Sequence, residues 1–370
     1  MSFFALVPLL PSARRTCSRF PYALLLPLLA LLLAALPHSL CAAGRANRMK
    51  PAATRFVLLP NNAYGAKCLD GRAHPSVSPH LSPHPPSLPY SFSAPSAPAY
   101  YFRAGTGAGR GKWHVHLPQG GWCFSPEECL ERANAPLGSS RFWARRLPAI
   151  VENGGKVPND TISNPDQAQI AYPQFGGLLS RSKTANPVFH GWNLVWVVYC
   201  DGGAYSSTRG RADLGEGASV YMSGQAILHA IIDDLRTRRG MGAASHVLFS
   251  GSSAGGHAII MHCDRLAAAF PRASSKCLAD SGFFVDAKDR FGVYSWREYI
   301  RQVTALHRIE VPRCPAGAPV RDYWVCFFPE HTLAQVSTPL FLFHSFFDWR
   351  FIQYEQQLPS EDQVYSQSAQ

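Results

Sequence analysis

The stretch from His246 to Ala268 constrains this chain more than any other. A short apolar strand pattern at His246 to Phe249 runs into Gly251-Ser252-Ser253-Ala254-Gly255-Gly256, and a helical pattern follows from about Ala254 to Ala268. Strand, Gly-x-Ser-x-Gly and helix in succession call for a sharp, strained turn that holds the middle serine out from the sheet. Glycine suits the flanking positions because a side chain there would clash. Ser253 is therefore the candidate nucleophile. The N–H of Ala254, at the helix start, is a candidate donor to a developing oxyanion. The bare pattern also describes a glycine-rich helix start, so the flanking elements carry the reading.

The rest of the chain alternates in the same way. Trp113 to Leu117, Leu194 to Tyr199 and Leu340 to Phe343 have strand character, and Ala226, Ile227, Ala230, Ile231 and Leu235 recur at helical spacing. Near-continuous apolar strands separated by helices imply an α/β chain with a buried, mostly parallel sheet and helices on both faces. With 46% hydrophobic and 16% charged residues, a chain of 370 residues can bury such a core, which excludes disorder throughout.

A serine on such a turn needs partners. Gln119-Gly120-Gly121-Trp122-Cys123 follows the strand ending at Leu117 and offers bare backbone, with Gly121 as the second candidate oxyanion donor. A simple glycine turn would have the same sequence. Asp348 follows the strand-like run Phe341 to Phe347, where an acid that orients a base histidine should stand, although an Asp there can also be a turn or cap. The order on this architecture is serine, acid, histidine. No histidine follows Asp348 within the 370 residues, and His307, His331 and His344 all precede it.

Other features read as structural. Gly105 to Lys112 resembles a phosphate loop but fails both the P-loop and the dinucleotide spacing, which leaves a flexible loop. His114 and His116 share the strand face opposite the apolar one and read as solvated. His257 and His262 read as packing residues on the helix after the serine. His74, His80 and His84 fall in a Pro/Ser/His-rich insertion at about 73–97, expected to be extended and mobile.

The N-terminus has Arg14, Arg15 and Arg19, an apolar run from Tyr22 to Leu36 broken by Pro27, and Cys41-Ala42-Ala43. This is the order of a signal peptide over residues 1–43, the remaining residues 44–370 forming one domain. No stable membrane insertion is expected, although a retained anchor has a similar pattern. Eight cysteines then remain, which in a secreted chain favours disulfides over metal. Cys123 with Cys129, and Cys314 with Cys326, are near enough in sequence to pair locally. Asn159-Asp160-Thr161 is a glycosylation sequon. The net charge of +11 falls to about +8 without the three leading arginines, which suits an acidic partner. Basic runs interleaved with aromatics are absent, so nucleic acid is not an expected partner.

In order along the chain, Cys68-Leu69-Asp70-Gly71, Pro98-Ala99-Tyr100-Tyr101, Gly120 to Cys123, Trp192-Asn193, Tyr199 to Gly202, Gly251 to Gly256, His262-Cys263-Asp264, Asp280 to Phe284, Cys326 to Pro329 and Pro339 to Asp348 resemble the pectin acetylesterase and Notum family of secreted carboxylesterases. The resemblance implies an α/β-hydrolase-like fold and ester hydrolysis without cofactor or metal. Ser253 would be the nucleophile, Asp348 the acid, Gly121 and Ala254 the oxyanion donors, and Trp122 a wall of the acyl pocket. In that family the 73–97 insertion is a short link and the base histidine lies several dozen residues beyond the acid. The expectation is therefore that the insertion and the chain's end are gene-model artefacts. The implied protein is a monomer, secreted to the cell exterior or wall, that removes O-acetyl groups from polysaccharide such as pectin. Alternatives are a Notum-like deacylase of a lipidated protein and, lacking the base, a noncatalytic glycan-binding homologue.

Overall fold

A computed structural model describes residues 54–60, 63–70, 95–143, 175–215, 217–311, 314, 320–345 and 348. All of them lie in one compact unit, residues 51–370. The expected signal peptide, most of the 73–97 insertion with its three histidines, and the Asn159 sequon lie outside the described residues.

Seven strands form the central sheet: β1 (Arg55–Leu58), β2 (Ala99–Arg103), β3 (Lys112–Leu117), β4 (Asn193–Val197), β7 (His246–Ser252), β8 (Ser274–Asp280) and β9 (Leu340–Phe343). Their order across the sheet is β1-β2-β4-β3-β7-β8-β9. The β4–β3, β3–β7, β7–β8 and β8–β9 pairs are parallel, whereas β1 and β2 join antiparallel at one edge. A separate hairpin pairs β5 (Gly210–Gly215) with β6 (Ala218–Met222). The α-helices among the described residues are α1 (Pro126–Ala133), α2 (Gly224–Arg238), α3 (Ala254–Ala268) and α4 (Ser295–His307). None of the described helices is long and apolar enough to cross a membrane. The mostly parallel α/β architecture expected from the apolar periodicity is the one observed, and α3 begins and ends where its pattern placed it.

Every residue of β4 is buried, as an interior parallel strand requires. Ser125 caps α1 by accepting the N–H of Glu128 at 3.2 Å, and Pro126 occupies the first helical position. Four disulfides tie the unit: Cys68–Cys200, Cys123–Cys129, Cys263–Cys277 and Cys314–Cys326. Two are the local pairs expected from spacing. The Cys68–Cys200 bond joins the segment before the insertion to the end of the β4 region, across 132 positions.

Two sequence readings are corrected. His114 and His116 do not share a solvated face: His114 is buried with the Phe189 ring centroid 5.6 Å away, His116 is half-buried in the wall of a cavity, and both approach the Ser250 hydroxyl on β7, at 2.6 and 2.9 Å. Amphipathic alternation marks a solvated face only on a strand with one covered side. Gly105–Lys112 is a fixed turn rather than a flexible loop. Asn193 Oδ1 accepts the N–H of Gly105 at 2.8 Å, and a Cβ on Gly109 would lie 1.9 Å from the Gly191 carbonyl oxygen. The glycines there permit close backbone approach. At the end of the insertion, Ser96 and Ala97 are buried, with Ser96 anchored on the Asp70 carboxylate, so the body of the fold resumes before residue 97.

Candidate active site

β7 ends at Ser252 and α3 begins at Ala254, which leaves Ser253 alone to reverse the chain. Its φ of 51° and ψ of −121° lie where L residues are strained. The surroundings impose that conformation. The Ser253 N–H donates to the carbonyl of Asp280 at the end of β8, at 2.8 Å, and the Ser253 carbonyl accepts the N–H of His257, also at 2.8 Å. Gly255 presses the start of α3 against the end of β3: a Cβ there would lie 2.0 Å from the Leu117 carbonyl oxygen. The positively polarised start of α3, with the Ala254 N–H in its first turn, is thereby fixed beside the chain leaving β3.

That chain is the Gly120-Gly121 loop, in which Gly121 has a φ of +59°. Its carbonyls are held from behind. Arg132 Nη2 donates to Gly120 O at 2.7 Å, and the Tyr199 hydroxyl donates to Gly121 O at 2.6 Å while accepting the N–H of Ala204 at 2.9 Å. Among the described residues the Gly121 N–H has no acceptor. The loop behind Tyr199 is organised by Asp201, fully buried, which accepts from Gly203 N, Tyr205 N and the Ser207 hydroxyl. Burial pushes the Asp201 carboxyl up, and these hydrogen bonds oppose the shift. Ser207 also lies 2.8 Å from His307 Nδ1, and His307 Nε2 donates to the Cys123 carbonyl at 2.9 Å. Sequence reasoning missed Tyr199, Arg132 and this Asp201–His307 network. The Tyr199-Cys200-Asp201-Gly202 run was the only signal for it.

Asp348 lies beyond β9, with its carboxylate 3.8 Å from His344 Nε2. The Asp280 carboxyl belongs to the same group: burial raises it, the Ser281 hydroxyl and His344 lower it, and Asp348 raises it further. Since Asp280 pairs with Phe343 in the β8–β9 register and its carbonyl holds Ser253, the nucleophile and acid candidates come to one end of the sheet.

Trp122 is 4% exposed, with ring centroids 4.9 Å from Phe284, 5.5 Å from Phe327, 5.6 Å from His257 and 6.1 Å from Trp296. His257 is one helical turn from Ser253 and donates Nε2–H to the Phe327 carbonyl at 2.6 Å; burial lowers its pKa to about 4. It is a packing residue, as its sequence position suggested, and so is His262, 2.9 Å from the Ser206 hydroxyl. A separate cavity of about 540 Å³, lined by His116, Gln119, Ser250, Asp280, Phe341 and Phe343 among others, does not include Trp122. The side chains of Asp286, Glu330 and His331 also cluster, but Arg297 already pairs with Asp286 at 2.8 Å.

A strained serine between a central parallel strand and the helix that follows it, facing a glycine loop from the neighbouring strand, defines an α/β-hydrolase-like chain. The comparisons specify the family. The family model described as Pectinacetylesterase matches residues 95–172 and 166–370, and the chain belongs to that family. Pectin acetylesterase 7 of Arabidopsis thaliana is 34% identical over 255 residues, covering 68% of this chain and 58% of that protein. Pectin acetylesterase 5 of the same plant is 32% identical over 260 residues, 70% of this chain and 54% of that protein. Palmitoleoyl-protein carboxylesterase NOTUM of Homo sapiens is 26% identical over 272 residues, 68% of this chain and 48% of that protein. The chain thus spans little more than half the length of the plant relatives it matches.

Proposed function

We propose that this protein is a secreted carboxylic ester hydrolase that removes acetyl groups from an O-acetylated polysaccharide. The observation that carries the reading is the backbone of Ser253, strained at φ 51° and anchored to Asp280. Strain at a polar residue that caps nothing is kept where the side chain must be presented.

Ser253 Oγ attacks the ester carbonyl, and the charge on the tetrahedral intermediate is taken up by the N–H groups of Gly121 and Ala254. Asp348 orients the histidine that accepts the serine proton and returns it to the leaving alcohol. No described histidine is assigned that role. Water then attacks the acyl-enzyme, the acyl–Oγ bond breaks, and acetate leaves as the Ser253 hydroxyl is restored. Four disulfides support an oxidising, extracellular location. The aromatic side chains around Trp122 favour acetyl over a fatty acyl group, because rings already occupy the space beside it.

The test is labelling by a fluorophosphonate, together with hydrolysis of nitrophenyl esters from acetyl to palmitoyl and acetate release from acetylated pectin. Labelling lost in Ser253→Ala, with acetyl preferred, is expected. Preference for long chains would instead give the Notum-like deacylase. Saturable pectin binding without turnover, unchanged by Ser253→Ala, would give a binding protein.

A further inference from the structure

Arg103 is a cation inside the fold that no carboxylate of the described residues matches. It is the last residue of β2, pairs with Leu194 of β4, and is 4% exposed. Arginine is rarely buried so completely without an anionic partner, because taking its charge out of water is costly unless a counter-charge offsets the loss. Among the described residues no carboxylate bonds to it or pairs with it. Its hydrogen bonds go to one backbone acceptor instead: Nη1 and Nη2 each donate to the Leu179 carbonyl at 3.2 Å. A guanidinium has five N–H donors, so the edge that includes Nε–H remains for further acceptors.

The charge that does act on Arg103 has the wrong sign. Arg181, two residues beyond Leu179, is exposed, and burial together with this like charge lowers the Arg103 pKa to about 10. The turn between them is held in place. Asn186, itself buried, donates through Nδ2 to the carbonyls of Leu178 at 2.8 Å and Ser180 at 2.9 Å. The fold therefore keeps the two guanidiniums near each other.

We propose that Arg103, with Arg181 nearby, holds a small inorganic oxyanion of the phosphate or sulfate class. Paired oxygens fit the remaining edge of the Arg103 fork, and a doubly charged ion gains more than a single carboxylate from a field to which both guanidiniums contribute. Burial of Arg103 sets the size of the ligand, since a polymer chain does not reach a side chain this enclosed. Leu178 and Leu179 also line the cavity of about 540 Å³ beside His116 and Ser250, so the ion steadies that wall. The site does not depend on the esterase reading.

The experiment is thermal unfolding of the full chain in rising inorganic phosphate, at ionic strength held constant with sodium chloride, with calorimetric titration of the same ion. Phosphate stabilises many proteins by exclusion from their surfaces, so the decisive response is one that saturates and requires Arg103. A saturating rise of about 3 °C with one ion bound per chain is expected. Arg103→Met should abolish it. Arg103→Lys, which keeps the charge and loses the fork, should weaken binding about tenfold, and Arg181→Ala several-fold; these two variants decide the point if Arg103→Met does not fold. Arg211→Ala, at another exposed cation, should leave the response unchanged. The inference is overturned by a response that never saturates, by no response in the unmodified chain, by equal responses in the Arg103 and Arg181 variants and the unmodified chain, or by acetate acting as effectively as phosphate.

Discussion

The hydroxyl of Tyr199 donates a 2.6 Å hydrogen bond to the carbonyl of Gly121. A peptide carbonyl fixed on one side aims the N–H of the same peptide plane on the other, and the orientation of the neighbouring planes follows. Arg132 does the same to the carbonyl of Gly120, and so determines which way the Gly121 N–H points. Tyr199 and Arg132 thus act as positioning residues for the proposed oxyanion donor, because preorganised donors are the larger part of such catalysis. Tyr199→Phe keeps the ring and removes the bond. A drop in kcat of about tenfold or more, with KM nearly unchanged, is expected on a nitrophenyl ester, since loss of an oxyanion donor outright costs roughly 100-fold or more. A parallel rise in KM with kcat intact would assign Tyr199 to ground-state binding instead.

The strain at Ser253 predicts a divergence between stability and activity. Glycine relieves a positive φ that alanine retains, so Ser253→Gly should be more stable than Ser253→Ala by about 1 kcal/mol. Both variants should be inactive. Urea unfolding of the two proteins decides the point, and equal midpoints at equal m-values would show that the elbow stores no strain.

Much of this was legible from local pattern. The strand–turn–helix succession is legible because three local signals agree at Ser253, the candidate nucleophile, and α3 follows because its apolar spacing is unbroken. What was not legible depends on tertiary neighbours. His114 and His116 alternate like a wet face, and only chain packed over that face, with Phe189 against His114, covers it. Tyr199 and Arg132 bond to backbone carbonyls, acceptors that every residue offers, so no residue type marks the partner. The glycines of Gly105–Lys112 suggest mobility until Gly191 is found against them.

Gly255 tests how closely the helix must approach the sheet. A methyl there would meet the carbonyl oxygens of Leu117 and Pro118 at 2.0 and 2.5 Å, both backbone atoms that cannot rotate away. Gly255→Ala should therefore cost about 3 kcal/mol or more and displace α3 from the glycine loop. The expected result is a large fall in the urea midpoint, and in any protein that still folds, loss of fluorophosphonate labelling at Ser253. Near-normal stability would mean that the strand end yields more easily than its packing implies.

Buried neutral histidines give the fold an acid limit. Burial lowers His114 to about 3 and His116, His257 and His307 to about 4. In the unfolded chain each titrates near 6.5. The unfolded state therefore binds more protons below that value, and the stability these groups contribute is complete above pH 6.5 and lost as pH falls toward 4. Each contributes a slope of at most about 1.4 kcal/mol per pH unit in that window. The raised carboxyls of Asp201 and Asp280 act in the opposite sense, since their protonated forms suit the fold, so the wild-type curve alone does not isolate the histidines. The difference from a variant does. In His257→Gln the side-chain amide can still donate to the Phe327 carbonyl while no longer titrating. Its stability between pH 6.5 and 4.5, from urea unfolding at steps of half a unit, should fall less steeply than wild type by about one proton's worth. Parallel curves would show that His257 is protonated in the folded protein and that its burial does not set the acid limit.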